Sequence, residues 1–92
     1  MKFAMENRID EAQREAEAVL AEAGLPTTPG RRLHRQIRSC RDRMLRTAFH
    51  ILSDCHHLRQ RIEHGETEAA AELAWKIGAT LSNLRILHAV PE

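Results

Sequence analysis

Four of the six histidines fall between positions 50 and 64. His50, Asp54 and His57 are spaced four and three residues apart, so they share one face if this stretch is helical. Imidazole and carboxylate groups are ligands for transition metals, and these three side chains could supply two or three of them. Arg61, however, adds a cation to the same face, and no second segment offers a further ligand. We therefore interpret the face as a solvated polar surface, with a His-rich metal-binding bundle as the least favoured alternative.

The sequence offers little for catalysis. Cys55 precedes two histidines, but neighbouring residues on a helix point about 100° apart and do not activate one another. None of the four glycines belongs to a phosphate-binding loop. Cys40 and Cys55 lie fifteen positions apart in one apolar pattern, about 22 Å along a helix and too far for a disulfide. We expect buried reduced thiols, no enzymatic activity and no cofactor.

Arginine accounts for twelve of the fourteen basic residues. Residues 31–46 contain seven arginines and one aspartate, a net charge of +6, whereas residues 3–24 contain six acids and two arginines, a net charge of −4. Guanidinium groups bind carboxylates and phosphates through paired hydrogen bonds. The candidate anion-binding or partner-binding residues are Arg31, Arg32, Arg35, Arg38, Arg43 and Arg46.

Two interpretations of this charge pattern remain open. If the two charged segments form an antiparallel helical hairpin, the acids face the arginines and orient the hairpin, at about 0–1 kcal/mol per exposed pair. We favour this interpretation. In the alternative, part of the block is an external binding surface, because Arg31, Arg32 and Arg35 occupy first turns where the helix dipole disfavours cations by about 0.3–1 kcal/mol. No helix-turn-helix, zinc-finger or aromatic RNA-binding pattern is present, so nucleic-acid contact would be a non-specific phosphate grip.

Three amphipathic segments position these residues. Apolar side chains recur every three or four residues over about 3–23, 29–64 and 68–88, which predicts three helices. Gly24 and Gly65 provide the stops, and Thr28 and Thr67 are candidate N-caps. Only three residues are aromatic and no segment alternates as a strand does. We predict an all-α single domain over 1–92: an antiparallel bundle of three helices with a long central helix.

Apolar residues remain outside the main seams. Three lie beside the seam of the second helix, and three form a row roughly opposite the core face of the third helix. Because a chain this short cannot bury all of them alone, we expect a homodimer, since twofold dimers are the commonest oligomers. The expected interface residues are Leu45, Phe49, Leu52, Trp75, Ala79 and Ile86.

The functional hypotheses are of two main classes. We first expect a small non-enzymatic interaction protein, an adaptor, regulator or inhibitor, that binds a protein partner. The alternative is a nucleic-acid-binding accessory protein that grips phosphates through the Arg-rich start of the second helix. No stretch approaches the roughly 18 apolar residues of a membrane span, and no signal-peptide pattern is present. We expect a cytoplasmic protein without membrane contact, and the scarcity of lysine beside arginine and alanine suggests a bacterial source.

Overall fold

The computed structural model describes the backbone of residues 2–89 and the side chains of residues 7–89. This part of the chain contains no β-strand, so the all-α prediction is confirmed. The first and last residues of the N-terminal helix and of the C-terminal helix each lie within one residue of the predicted boundary. The four helices are α1 (Lys2–Glu22), α2 (Arg31–Arg38), α3 (Arg43–Glu63) and α4 (Thr67–Ala89).

The long central helix of the prediction is divided into α2 and α3, which gives four helices rather than three. Ser39 donates its hydroxyl to the Gln36 carbonyl at 3.1 Å, and residues 40–42 leave the helical path. Asp42 has an extended backbone, and its carboxylate accepts hydrogen bonds from the backbone N–H groups of Met44 (2.9 Å) and Leu45 (3.2 Å). An aspartate N-cap stabilises a helix start by about 1 kcal/mol. Asp42 therefore begins a new helix where the apolar pattern alone suggested continuity.

Glycines end α1 and α3 as the sequence predicts. Gly24 has φ +74° and Gly65 has φ +73°, the left-handed conformation that glycine adopts without strain. After α1, the backbone N–H of Leu25 donates to the carbonyl of Leu20 at 3.0 Å, which is the hydrogen bond of a Schellman motif. The equivalent bond after Gly65 is 2.9 Å. These stops allow the chain to reverse direction, so that α3 runs beside both α1 and α4.

The hydrophobic core lies between α1, α3 and α4. α3, the larger part of the predicted second helix, packs along both of the other long helices, so α1 pairs with α3 and not with the Arg-rich α2. In the described part of the chain, no Cα atom of α1 lies within 8 Å of a Cα atom of α2. α2 contacts only α3 and contributes two buried side chains, Leu33 and Ile37. The largest buried side chains of the three long helices are Ile9, Leu20, Ile51, Leu52, Leu58 and Leu84. The molecule is thus a three-helix bundle with α2 attached to one of its helices.

Candidate interaction surfaces

Residues 31–46 form what we call the arginine arm: α2, the connection after it and the first turn of α3. All seven of its arginines are exposed. None of them forms an ion pair with any side chain in the described range 7–89. The one acid of the arm, Asp42, directs its carboxylate to the N-terminus of α3. The positive charge of the arm is therefore left facing solvent.

Three acids of α1 pair with arginines outside the arm. Arg59 of α3 donates to Asp10 at 2.7 Å. Arg85 of α4 donates twice to Glu15, at 2.6 and 2.9 Å, and once to Glu11 at 2.9 Å. The favoured interpretation, in which α1 neutralises the arginine block, is therefore wrong, because α1 packs against α3 and α4 instead of α2.

The outer face of α2 carries much of the charge of the arm. Leu33 and Ile37 are buried against the bundle, and at about 100° per residue Arg31, Arg35 and Arg38 lie on the opposite face. The N-cap of α2 is Gly30, which makes no side-chain capping bond, and the predicted Thr28 cap is not used. The exposed arginines thus lie beside backbone N–H groups that no side chain caps.

A groove of about 640 Å³ separates α1 from α4 on one side of the bundle. Its floor is apolar and includes Ile9 of α1, Leu58 of α3 and Leu81 of α4. Trp75 lines its edge and is 79% exposed, the highest exposure of any large apolar side chain in residues 7–89. We call this feature the α1–α4 groove.

The six residues expected at a dimer interface divide into two groups. Leu52 is only 2% exposed and belongs to the core of the monomer, so it is unavailable to a second chain. Leu45 and Phe49 are half-buried and pack against the same core. On α4, Trp75 and Ile86 are 79% and 62% exposed, and Ala79 is also exposed. The structure therefore retains the α4 residues as an apolar row and assigns the α3 residues to the fold of the monomer.

The candidate metal-binding face does not form a ligand cluster. Asp54 is buried, with one carboxylate oxygen 3.7 Å from the ammonium nitrogen of Lys76 on α4. His50 and His57 are exposed at the surface of α3. No group of three His, Cys, Asp or Glu side chains within the described residues is placed to hold a metal ion. Asp54 instead contributes an ion pair between α3 and α4.

The two cysteines occupy different environments. Cys40 is half-buried in the connection between α2 and α3, and Cys55 is buried in the core with its sulfur 3.9 Å from the carbonyl oxygen of Ile9. Burial raises the pKa of the Cys55 thiol to about 11. Cys55 therefore remains a protonated core side chain at neutral pH, and the prediction of a fully buried thiol fails for Cys40.

The Arg85 cluster fastens α4 to α1. Hydrogen bonds from Arg85 hold the pKa of the Glu15 carboxyl below its ordinary value. The same hydrogen bonds raise the pKa of the Arg85 guanidinium. The sequence pattern did not identify Arg59 and Arg85 as partners of α1, because both lie outside the Arg-rich residues 31–46. Their role follows from which helices pack together, and the charge pattern alone does not show this.

Comparisons with known proteins add no relative. No family model matches the chain, and neither a curated protein nor a solved structure does. In the part of the chain that the structure describes, no helix is long and apolar enough to cross a membrane. The arginine arm and the α1–α4 groove are therefore the two surfaces that bear on function.

Proposed function

We propose that this chain is a non-enzymatic interaction protein that binds a protein partner through the α1–α4 groove and the apolar row of α4. The supporting observation is Trp75, which is 79% exposed beside an apolar floor. Exposed apolar patches of this kind mark interaction sites in folded proteins. Tryptophan is also the side chain most often found at the energetic centre of protein–protein interfaces.

The shape of the groove suits an amphipathic helix. Ala71 and Gly78 line the α4 side, and an added Cβ at Gly78 would meet no atom within 4 Å. Small side chains let another backbone approach closely, while the apolar floor accepts side chains spaced by one helical turn. The groove has charged residues as well, since Glu11 and Arg85 line it. A partner helix with an apolar stripe and polar flanks would match this arrangement.

A second copy of the chain is the partner that we propose first. Trp75 and Ile86 lie eleven residues apart, about 16 Å along α4, and Ala79 lies between them on the same exposed row. A stable interface buries about 800 Å² on each partner. That is about an eighth of the 6821 Å² surface of this chain, which one long face of the bundle can supply. An adaptor, regulator or inhibitor that acts as a homodimer would use this face.

Sedimentation of the Trp75→Ala variant tests the proposal. We expect the wild-type chain to dimerise and the variant to dissociate. The dimer should be weakened about 1000-fold, because the variant removes one central tryptophan from each of the two chains and each contributes about 2 kcal/mol or more. Circular dichroism should show the same helix content for both, since Trp75 is outside the core. The matched control is His56→Ala, which truncates an exposed ring on α3.

Two results would contradict this proposal. A wild-type chain that sediments as a monomer at high micromolar concentration would exclude the homodimer. Equal dimer affinities for the wild type and Trp75→Ala would remove Trp75 and its row from the interface.

A further inference from the structure

We propose that the arginine arm binds the phosphate backbone of double-stranded nucleic acid without sequence specificity. This inference is independent of the α1–α4 groove, because it rests on other residues and on charge rather than apolar contact. The arm carries a net charge of +6 within sixteen residues, so the remaining residues of this +1 chain together carry −5. A near-neutral protein is therefore divided into a strongly basic arm and an acidic remainder.

The fold itself leaves the arginines of the arm without an ion-pair partner among the described residues. Asp10 of α1 pairs with Arg59, and Glu11 and Glu15 pair with Arg85. The two other described acids of α1 do not reach the arm either, because Glu17 accepts a hydrogen bond from Gln13 and Glu22 lies 3.7 Å from His88. Seven like charges on a short segment repel one another and destabilise the compact state. No described side chain offsets this cost through an ion pair with the arm. An external polyanion would do so.

The exposed side chains of the arm suit a phosphate backbone better than an acidic protein surface. Leu33 and Ile37 are buried, and the exposed residues of the arm include no aliphatic side chain and no Phe, Trp or Tyr. The centre of a protein–protein interface combines arginine with apolar and aromatic anchors, and the exposed part of the arm supplies the arginine without these anchors. Phosphate-backbone binding needs only positive charge, because its free energy comes mainly from the release of condensed counterions. The exposed chemistry of the arm therefore favours phosphates over an acidic protein surface.

The side chains of the arm also favour a duplex over a single strand. Proteins that bind single strands stack the bases on exposed aromatic side chains. Phe49, the nearest Phe, Trp or Tyr to the arm in sequence, is half-buried and lies with its ring centroid 5.9 Å from that of His34. Because the arm offers no exposed Phe, Trp or Tyr and a duplex has a higher density of phosphate charge than a single strand, backbone contact favours the duplex. Such contacts position a protein but do not read the base sequence.

Binding should also stabilise α2. This helix is attached through two buried side chains, contacts only α3, and lacks a side-chain N-cap. Phosphate groups beside Arg31, Arg35 and Arg38 would remove charge repulsion that opposes the helix. Amide hydrogen exchange in α2 should therefore slow when a duplex binds, while exchange in the Leu58 region of α3 changes little.

Fluorescence anisotropy with a labelled mixed-sequence DNA duplex tests the proposal on the full chain. If most of the seven arginines contact phosphates, affinity should fall about 10³-fold or more between 50 and 200 mM salt. The double variant Arg35→Ala/Arg38→Ala should lower the slope of log K against log salt by about 2. The control is Arg14→Ala/Arg61→Ala, which removes the same charge from exposed positions outside both the arm and the α1–α4 groove and should leave the slope unchanged.

Each of the following outcomes would overturn the proposal. An absence of duplex binding at 50 mM salt would exclude nucleic acid as the ligand. Equal losses in the two double variants would assign binding to net charge rather than to the arm. Poly-glutamate that binds as tightly as the duplex at equal salt would identify an acidic protein as the partner, and tighter binding of a single strand would contradict the duplex. None of these results bears on the dimer test at Trp75.

Discussion

The bundle and the arginine arm differ in whether their arginines form ion pairs. In the bundle, Arg59 and Arg85 reach across to acids on α1 at 2.6–2.9 Å and help to hold three helices in register. In the arm, seven arginines face solvent without an ion pair among the described side chains. Arg59 and Arg85 thus act within the fold, and the arginines of the arm are available to a partner. The same residue type therefore has two roles, set by helix packing.

Burial separates the two regions in the same way. The bundle buries side chains along three helices of 21 to 23 residues, whereas α2 has eight residues and buries two. The free energy that holds α2 in place must therefore be a small part of the total. We expect the arm to open locally while the bundle stays folded, since proteins unfold in partly independent units.

The largest expected difference between the two regions is in the rate of thiol modification, because each region contains one cysteine. Cys40 is half-buried in the arm, and Cys55 is buried in the bundle with its pKa raised to about 11. A thiol reagent at neutral pH should modify Cys40 at least about 1000-fold faster, because Cys55 reacts only after the core opens. Spectroscopic counting should give one fast thiol in native protein and two in denaturant. Loss of the fast phase in Cys40→Ser is the control, and a fast second thiol in native protein would contradict a closed core.

The second largest expected difference is in stability, and truncation of one buried leucine in each region measures it. Leu58 and Leu33 are both fully buried, the first in the bundle and the second in the arm. Leu58→Ala should lower the free energy of unfolding by about 2–5 kcal/mol, the usual cost of a core cavity. Leu33→Ala should lower the free energy of unfolding of the bundle by less, because α2 can detach without unfolding the other helices. Urea denaturation followed by circular dichroism measures both, and equal losses would show that arm and bundle fold as one unit.

The sequence predicted the helical class and the bounds of α1 and α4 well, because glycine stops and apolar periodicity are local signals. It missed the break between α2 and α3, since the apolar spacing continues through Ser39–Asp42 and hides the capping role of Asp42. Ion pairs between residues far apart in the chain could not be predicted in this way. The acids of α1 could match any basic helix of suitable spacing, and the choice of Arg59 and Arg85 depends on which helices pack together. The exposure of Trp75 was anticipated, because its row lies opposite the core face of α4.

The Glu15–Arg85 pair gives the smallest expected effect and tests whether charge in the bundle is structural. Because the folded protein holds the pKa of Glu15 below its ordinary value of 4.5, the stabilisation is fully present above pH 4.5. It is lost as the pH falls through the lowered pKa. Both side chains are more than a third exposed, so solvent screening limits the cost of Glu15→Gln at pH 7 to less than about 1 kcal/mol.

Urea midpoints at pH 7 and pH 3 measure this contribution. Wild type and Glu15→Gln should differ at pH 7, and the difference should shrink as the pH falls below 4.5, because the wild-type pair is lost as Glu15 becomes protonated in the folded chain. The matched variant in the other region is Arg35→Gln, which removes a charge that has no ion-pair partner among the described side chains and should not lower the midpoint. If Arg35→Gln destabilised the chain as much as Glu15→Gln at pH 7, the arm would contribute to the fold as the bundle pairs do. The contrast between structural and available arginines would then fail.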